Sequence, residues 1–210
     1  MIKIGIPSKG RLRKDVLNIF SRNKLKLLSE RGERDLFGYI KKYKNINITY
    51  LHAREIIERL GDGSLDLGFS GYDLLKESEV NVQKKIVAKK KYNFGHARLV
   101  VAIPDEWIDV QTIADLEEIA FDFKDSKKSR LRVATKYPNL TRDFLFSKGV
   151  TQFKLVKSLG ATEVYPFTGS SEIITDITST GETLKANNLR VLKDGEILKS
   201  QACLIISKKS

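Results

Sequence analysis

The chain has 210 residues, with 38 Lys and Arg against 26 Asp and Glu and a formal net charge of +12. Its 41% hydrophobic and 30% charged residues exclude a disordered chain, and at this length folding buries about 70% of the unfolded surface, enough for one full core or two small ones. A single Cys (Cys203) excludes a disulfide framework and a Cys-based zinc site, and two isolated His argue against a His-based metal site.

Residues 2–7 (Ile-Lys-Ile-Gly-Ile-Pro) alternate as a strand and break at Pro7-Ser8-Lys9-Gly10. A helix follows, with Leu12, Val16, Leu17, Ile19 and Phe20 on one face. Residues 36–40 and 46–51 read as two strands joined by a Lys-rich loop, and 53–60 as a helix ended by Gly61. A strand at 65–69 and a short helix at 72–77 complete a β–α alternation, the mark of a largely parallel sheet. A second such unit starts near Arg98, with a strand at 98–103 stopped by Pro104 and a helix at 111–117. The polar stretch 124–129 precedes a strand at 132–135 and a helix at 138–148 with Pro138 at its start. Residues 189–207 read as two strands turning at Asp194-Gly195, a hairpin signal. Two compact lobes of about 90–110 residues are expected.

The charge is uneven: residues 1–50 carry 13 basic and 4 acidic side chains. Such an excess suits nucleic acid, a membrane surface or small anions, or it is only a solvated Lys-rich surface. The basic runs (Lys89-Lys90-Lys91, Lys127-Lys128) are too short for a nucleic-acid arm. No apolar window reaches 18 residues, and Met1–Pro7 is too short an apolar stretch for a signal peptide, so a cytoplasmic protein without membrane contact is expected.

Four turns carry ligand-type residues. Ile6–Leu12 places Ser8, Lys9, Gly10 and Arg11 where a strand enters a helix, offering N–H groups, a hydroxyl and two cations to a phosphate, or simply a solvated basic turn. Asp66–Asp73 contains Gly71, which permits close approach of a ligand, and Asp73, which reads a base or sugar or merely caps a helix. Ala134–Arg142 opens a helix, for which an ordinary cap is a sufficient explanation. Asp176–Leu184 joins an acid suited to ribose hydroxyls to a run of Thr, Ser and Gly suited to a phosphate, against a plain Ser/Thr cap of the helix after it.

Together these segments, Ile6–Leu12, Ala53–Leu75, Leu131–Phe144 and Gly160–Leu189, resemble the short form of the ATP phosphoribosyltransferase family, which opens histidine biosynthesis. The runs Ala134-Thr-Lys-Tyr-Pro-Asn-Leu-Thr-Arg142 and Asp176-Ile-Thr-Ser-Thr-Gly-Glu-Thr-Leu-Lys-Ala-Asn187 carry the likeness. The resemblance implies an α/β fold of two lobes, periplasmic-binding-protein-like (type II), with mixed sheets and a cleft between lobes. Lobe I would be 1–95 plus 188–210 and lobe II 96–187, with nothing after Ser210 for the long form's regulatory domain.

It further implies transfer of phosphoribosyl from phosphoribosyl pyrophosphate (PRPP) to N1 of the adenine of ATP, with Mg²⁺ carried by the polyphosphates and no metal site of the protein's own. Thr178, Ser179, Thr180, Gly181, Glu182 and Thr183 would hold the 5-phosphate of PRPP, Asp176 its ribose hydroxyls, and Glu163 would lie near the substrates. Arg11 and Arg34 would be catalytic, neutralising the departing pyrophosphate, with ATP on Ser8, Lys9, Gly10, Gly71 and Asp73. A regulatory subunit resembling histidyl-tRNA synthetase and a homodimer of catalytic subunits are implied as partners, and nucleic acid is not. His52 departs from the family's Arg, and Tyr165, Phe167 and 168–171 from its smaller apolar residues, while Trp107 reads as packing. The competing readings are a non-catalytic two-lobed solute-binding protein and, on charge alone, a nucleic-acid-binding protein.

Overall fold

The computed structural model describes residues 1–28 and 36–208. Along the chain run β1 (Ile2–Pro7), α1 (Gly10–Arg22), β2 (Leu27–Leu28), β3 (Phe37–Ile40), β4 (Tyr43–Leu51), α2 (Ala53–Gly61), β5 (Leu67–Gly71), α3 (Tyr72–Glu77), α4 (Val80–Lys85) and β6 (Ile86–Lys91). After them come β7 (Ala97–Pro104), α5 (Ile113–Lys127), β8 (Leu131–Thr135), α6 (Pro138–Ser147), β9 (Phe153–Lys157), two 3₁₀ turns (Thr162–Val164, Pro166–Thr168), β10 (Ile173–Thr178), α7 (Glu182–Ala186), β11 (Leu189–Ser200) and β12 (Ala202–Ser207). They form two units, Met1–His96 with Ser200–Ser210, and Ala97–Lys199.

The first unit is built on a seven-stranded sheet in the order β2-β3-β4-β1-β5-β12-β6. Central β1 lies parallel to β4 on one side and β5 on the other, and β12 is antiparallel to β5 and β6. Strand alternation sends Ile4 and Ile6 to one face, where they pack with Ile48, Val16 and Phe20. The other face carries Ile56, Ile57 and Leu60 of α2 with Leu65, Cys203 and Ile205. Gly5 and Gly68 let α2 settle close, since a Cβ on Gly68 would stand 2.4 Å from Ile56 Cγ2.

The second unit has a five-stranded sheet ordered β11-β7-β10-β8-β9, with β10 antiparallel to β7 and parallel to β8, and β8 parallel to β9. Residues Leu99–Ile103 of β7 are all buried because both faces are covered. Val101, Ile103, Val133 and Ile173 face Leu116 and Leu145 of α5 and α6, and Val100, Ala102, Ala134 and Ile174 face Leu184 and Leu189. Each fully buried Leu or Ile contributes roughly 1.5–3 kcal/mol.

Helix α2 ends at Gly61 as expected; a Cβ there would come 2.8 Å from Val82 Cγ1, and the left-handed residue that follows is Gly63 (φ +79°). Three expectations need correction. Helix α5 runs to Lys127 through the stretch expected to be irregular. A capping box of Thr112 and Asp115 starts it, and Lys124 and Lys127 complement its C-terminal dipole. Asp194-Gly195 does not form a hairpin but lies inside β11. There Asp194 Oδ1 accepts from the Ile113 N–H at 2.8 Å, and Gly195 passes so close to β7 that a Cβ would lie 3.2 Å from the Val101 carbonyl. Because β11 pairs with β7, the chain leaves the second unit at Ser200 rather than at 188. Helix α4 and strands β2, β6 and β9 have no counterpart among the elements expected from the sequence. No helix of the described residues is long and apolar enough to cross a membrane.

Candidate active site

In the second unit three parallel strands end at one edge of the sheet, β8 at Thr135, β9 at Lys157 and β10 at Thr178. The carboxyl ends of parallel strands are where open α/β sheets take ligands, because the loops there are free to vary while the strands hold them. Asp176 lies near the end of β10, 7% exposed, with Oδ1 accepting from the Ile177 N–H at 2.8 Å. Burial pushes its carboxyl above the ordinary 3.8; the Ile177 N–H and the Lys136 ammonium oppose the rise, and the charge of Glu163 adds to it. Asp176, Lys136 and Glu163 thus share one electrostatic environment, although 40 residues of sequence separate the first two. Lys136 was not singled out from the sequence; its place directly after a strand end is the signal that could have found it.

The segment after Asp176 is shaped by its own hydroxyls. Thr178 Oγ1 accepts from the Gly181 N–H at 2.9 Å, and Thr180 Oγ1 from the Glu182 N–H at 3.3 Å. Gly181 has φ +84°, a left-handed conformation that favours glycine. Leu184 anchors α7 in the core, leaving Ser179, Thr180, Glu182 and Thr183 exposed. Glu163 sits half-buried in the first 3₁₀ turn, which a 2.9 Å hydrogen bond between the buried hydroxyls of Thr162 and Ser158 ties to the end of β9. Tyr165 packs beside Leu184, and its hydroxyl accepts from the Leu159 N–H and donates to the Lys157 carbonyl. Trp107 packs on the apolar core with its ring 6.5 Å from that of Phe123.

In the first unit β1, β4 and β5 also run parallel and end at Pro7, Leu51 and Gly71. The Ser8 N–H donates to the Leu51 carbonyl at 2.8 Å, extending the ladder by one bond, and Gly10 turns the chain with φ +82°. Helix α1 begins here with no side-chain cap and no acid in its first turn, so its early N–H groups and positive dipole end are suited to an anion beside exposed Lys9 and Arg11. Arg13 braces the turn: one Nη donates to the Ser8 carbonyl at 3.0 Å, and its guanidinium lies 5.0 Å from the Tyr50 ring centroid. His52 caps α2, its Nδ1 accepting from the Arg54 N–H at 3.3 Å, and it lines with Ser8, Tyr50 and Arg59 a cavity of about 600 Å³.

Gly71 and Asp73 serve each other. A Cβ on Gly71 would meet Asp73 Oδ1 at 2.2 Å, and that buried carboxylate accepts from the Ser200 hydroxyl at 2.6 Å while Ser200 Oγ accepts from the Asp73 N–H at 3.0 Å. The close approach expected of a ligand at Gly71 is made by the chain's own carboxylate. Arg34 lies outside the described residues. Among the described residues no group of three or more His, Cys, Asp and Glu could hold a metal.

The sequence pattern of the ATP phosphoribosyltransferase family matches residues 52–210. The chain is 47% identical over 207 residues to the ATP phosphoribosyltransferase of Nitrobacter winogradskyi, covering 99% of itself and 64% of that protein. It is 44% identical over 209 residues to that of Rhizobium etli, covering 99% of itself and 90% of the relative. Among solved structures it superposes on the ATP phosphoribosyl transferase (HisG:HisZ) complex from Thermotoga maritima with a TM-score of 0.76 at 26% identity, over 99% of this chain and 88% of that one. The substrate binding protein of an amino acid ABC transporter matches with a TM-score of 0.55 at 13% identity, over 100% of this chain and 86% of the other; this shows the fold alone, the two-lobed type II fold of periplasmic binding proteins. From the pattern match and the relatives' identity, the chain belongs to the ATP phosphoribosyltransferase family, pentosyltransferases of histidine biosynthesis.

Proposed function

We propose that the chain is a catalytic subunit that transfers the phosphoribosyl group of PRPP to N1 of the adenine of ATP, with release of pyrophosphate. The observation that carries the assignment of residues is the run at the end of β10, where nearly buried Asp176 is followed by a hydroxyl-lined turn. Asp176 accepts the ribose hydroxyls, Thr178, Ser179, Thr180, Gly181, Glu182 and Thr183 take the 5-phosphate, and Glu163 approaches the same sugar.

The reaction is a displacement at an anomeric carbon. The lone pair of N1 forms the new C1–N bond as the C1–O bond to pyrophosphate breaks, and the bonding electrons leave with the pyrophosphate. Oxocarbenium character develops at C1, so the chain's task is in-line placement and neutralisation of the leaving group rather than proton abstraction. Arg11 and Arg34 carry that neutralisation, with Ser8, Lys9 and Gly10 on the ATP polyphosphate. Gly71 and Asp73 shape the same strand edge of the ATP site.

Asp176 and Glu163, hard oxygen donors within each other's field, fit an ion held through one or two carboxylates and otherwise by substrate oxygens and water, the habit of Mg²⁺. When bound, Mg²⁺ would shield the charge gathering on pyrophosphate. A regulatory subunit resembling histidyl-tRNA synthetase and a homodimer of catalytic subunits complete the assembly, in the cytoplasm.

Supplying ATP, PRPP and Mg²⁺ should produce the new ultraviolet absorbance of phosphoribosyl-ATP. Absence of turnover, with and without the regulatory subunit, overturns the reading. Arg11→Ala should lower kcat by about 10²-fold while changing the KM for ATP far less, because leaving-group charge exists only in the transition state. A variant that mainly raised KM would place Arg11 in ground-state binding instead.

A further inference from the structure

Behind the strand ends that carry Lys136 and Asp176 lies a closed ring of buried hydroxyls. Thr135 at the end of β8, Thr141 in the first turns of α6 and Thr175 on β10 are each at most 1% exposed. Thr175 Oγ1 lies 2.6 Å from Thr135 Oγ1 and 2.6 Å from Thr141 Oγ1, and the third side, Thr135 to Thr141, is 3.1 Å. The Tyr137 N–H donates to Thr135 Oγ1 at 2.8 Å, which ties the start of α6 to the ring. Thr175 and Thr135 are register partners in the parallel pair β10–β8, so the ring joins two strands and a helix at one level.

The physical question is why this spot is polar. A buried hydroxyl left unpaired costs about 1–3 kcal/mol, and Val has the same branched shape without that cost, so an apolar trio would hold the core equally well. What hydroxyls add is direction. Each bond restrains the separation and rotation of the elements it joins more tightly than packing does. Thr175 precedes Asp176 and Thr135 precedes Lys136, so the ring restrains the backbone one residue before each charge. Strand alternation places the Thr175 side chain on the sheet face opposite that of Asp176, which leaves the carboxylate free for a ligand while the backbone behind it is held.

We propose that the Thr135–Thr141–Thr175 ring is a positioning device that sets Asp176 against the ribose of PRPP. This rests on the assignment of PRPP to the second unit. The three residues act through Asp176 and do not touch substrate.

The test is steady-state kinetics and thermal unfolding of Thr175→Val, Thr141→Val and Thr175→Ser, with Asp176→Asn as reference. Breaking the ring with either Val should raise the KM for PRPP about tenfold, leave the KM for ATP unchanged and shift the unfolding midpoint little, and Thr175→Ser should restore the KM. Two Val variants on different elements keep the test open if one fails to fold. An unchanged KM for PRPP in both, with Asp176→Asn raising it, overturns the positioning role. Equal rises in both KM values together with a lowered midpoint overturn it too, as the mark of general loosening. If Asp176→Asn itself leaves the KM for PRPP unchanged, the assignment of PRPP to this edge falls, and the proposal with it.

Discussion

Asp176 places a conflict between stability and chemistry on one side chain. Burial raises its carboxyl from 3.8, so the native state binds this proton more tightly than the unfolded chain does. The stability linked to that proton is fully present below 3.8 and is lost as pH rises through the raised native value; above that window the ionised carboxylate works against the fold. Asp176→Asn should therefore raise the unfolding temperature at neutral pH while weakening PRPP binding, and its advantage should shrink as pH falls toward 3.8. Melting curves of both proteins across that range check it, and an Asn variant less stable than the parent at neutral pH would contradict it. Within one contiguous run the local geometry follows from the sequence, since a turn's own hydroxyls shape it, as Thr178 and Thr180 do. Asp73 was harder, because its partner Ser200 lies 127 residues away.

At the scale of elements, glycine carries two different meanings that sequence alone does not separate. Gly195 reads as a hairpin turn yet lies inside β11, and Gly61 ends α2 as expected but where a neighbour presses close. Gly10 and Gly181 do turn the chain, with φ of +82° and +84°. The difference predicts opposite causes of damage. Gly61→Ala adds helix propensity but drives a methyl to 2.8 Å from Val82, and the overpacking should cost about 1–3 kcal/mol through loosening of α2 on α4. Denaturant unfolding measures this, and Gly61→Ala combined with Val82→Ala should recover most of the loss; a single variant as stable as the parent would show that α4 yields freely. Periodicity found the long amphipathic elements but stopped α5 short, because exposed Phe121 blurs its apolar stripe, and Lys124 and Lys127 of its last turn imitate a loop while they complement the helix dipole.

For the whole molecule, the +12 charge is the broadest feature. Lys9 and Arg11 stand at the end of β1, and Lys41, Lys42 and Lys44 are exposed near the β3–β4 turn. Lys89, Lys90 and Lys91 lie on β6, an edge strand, where positive charge discourages addition of another strand. A surface of this sign should attract anionic substrates over a distance set by the Debye length, which falls from about 30 Å at 0.01 M salt to about 10 Å at 0.1 M. Over that range kcat/KM for ATP and for PRPP should fall while kcat holds nearly constant. A salt-independent kcat/KM would confine the excess charge to solubility.

Taken alone, the sequence determined the α/β alternation, the strand-to-helix turns rich in ligand-type residues and the family resemblance. These are local properties, set by side-chain period, backbone sterics and residues adjacent along the chain. The tertiary structure decided which sheet each late strand joins, so that β11 stays with β7 and β12 crosses to β5. It also brought Thr135 to Thr175, Asp73 to Ser200 and Asp194 to the N-terminus of α5. Such pairings depend on strand register and on the filling of a common core, and no local pattern specifies them.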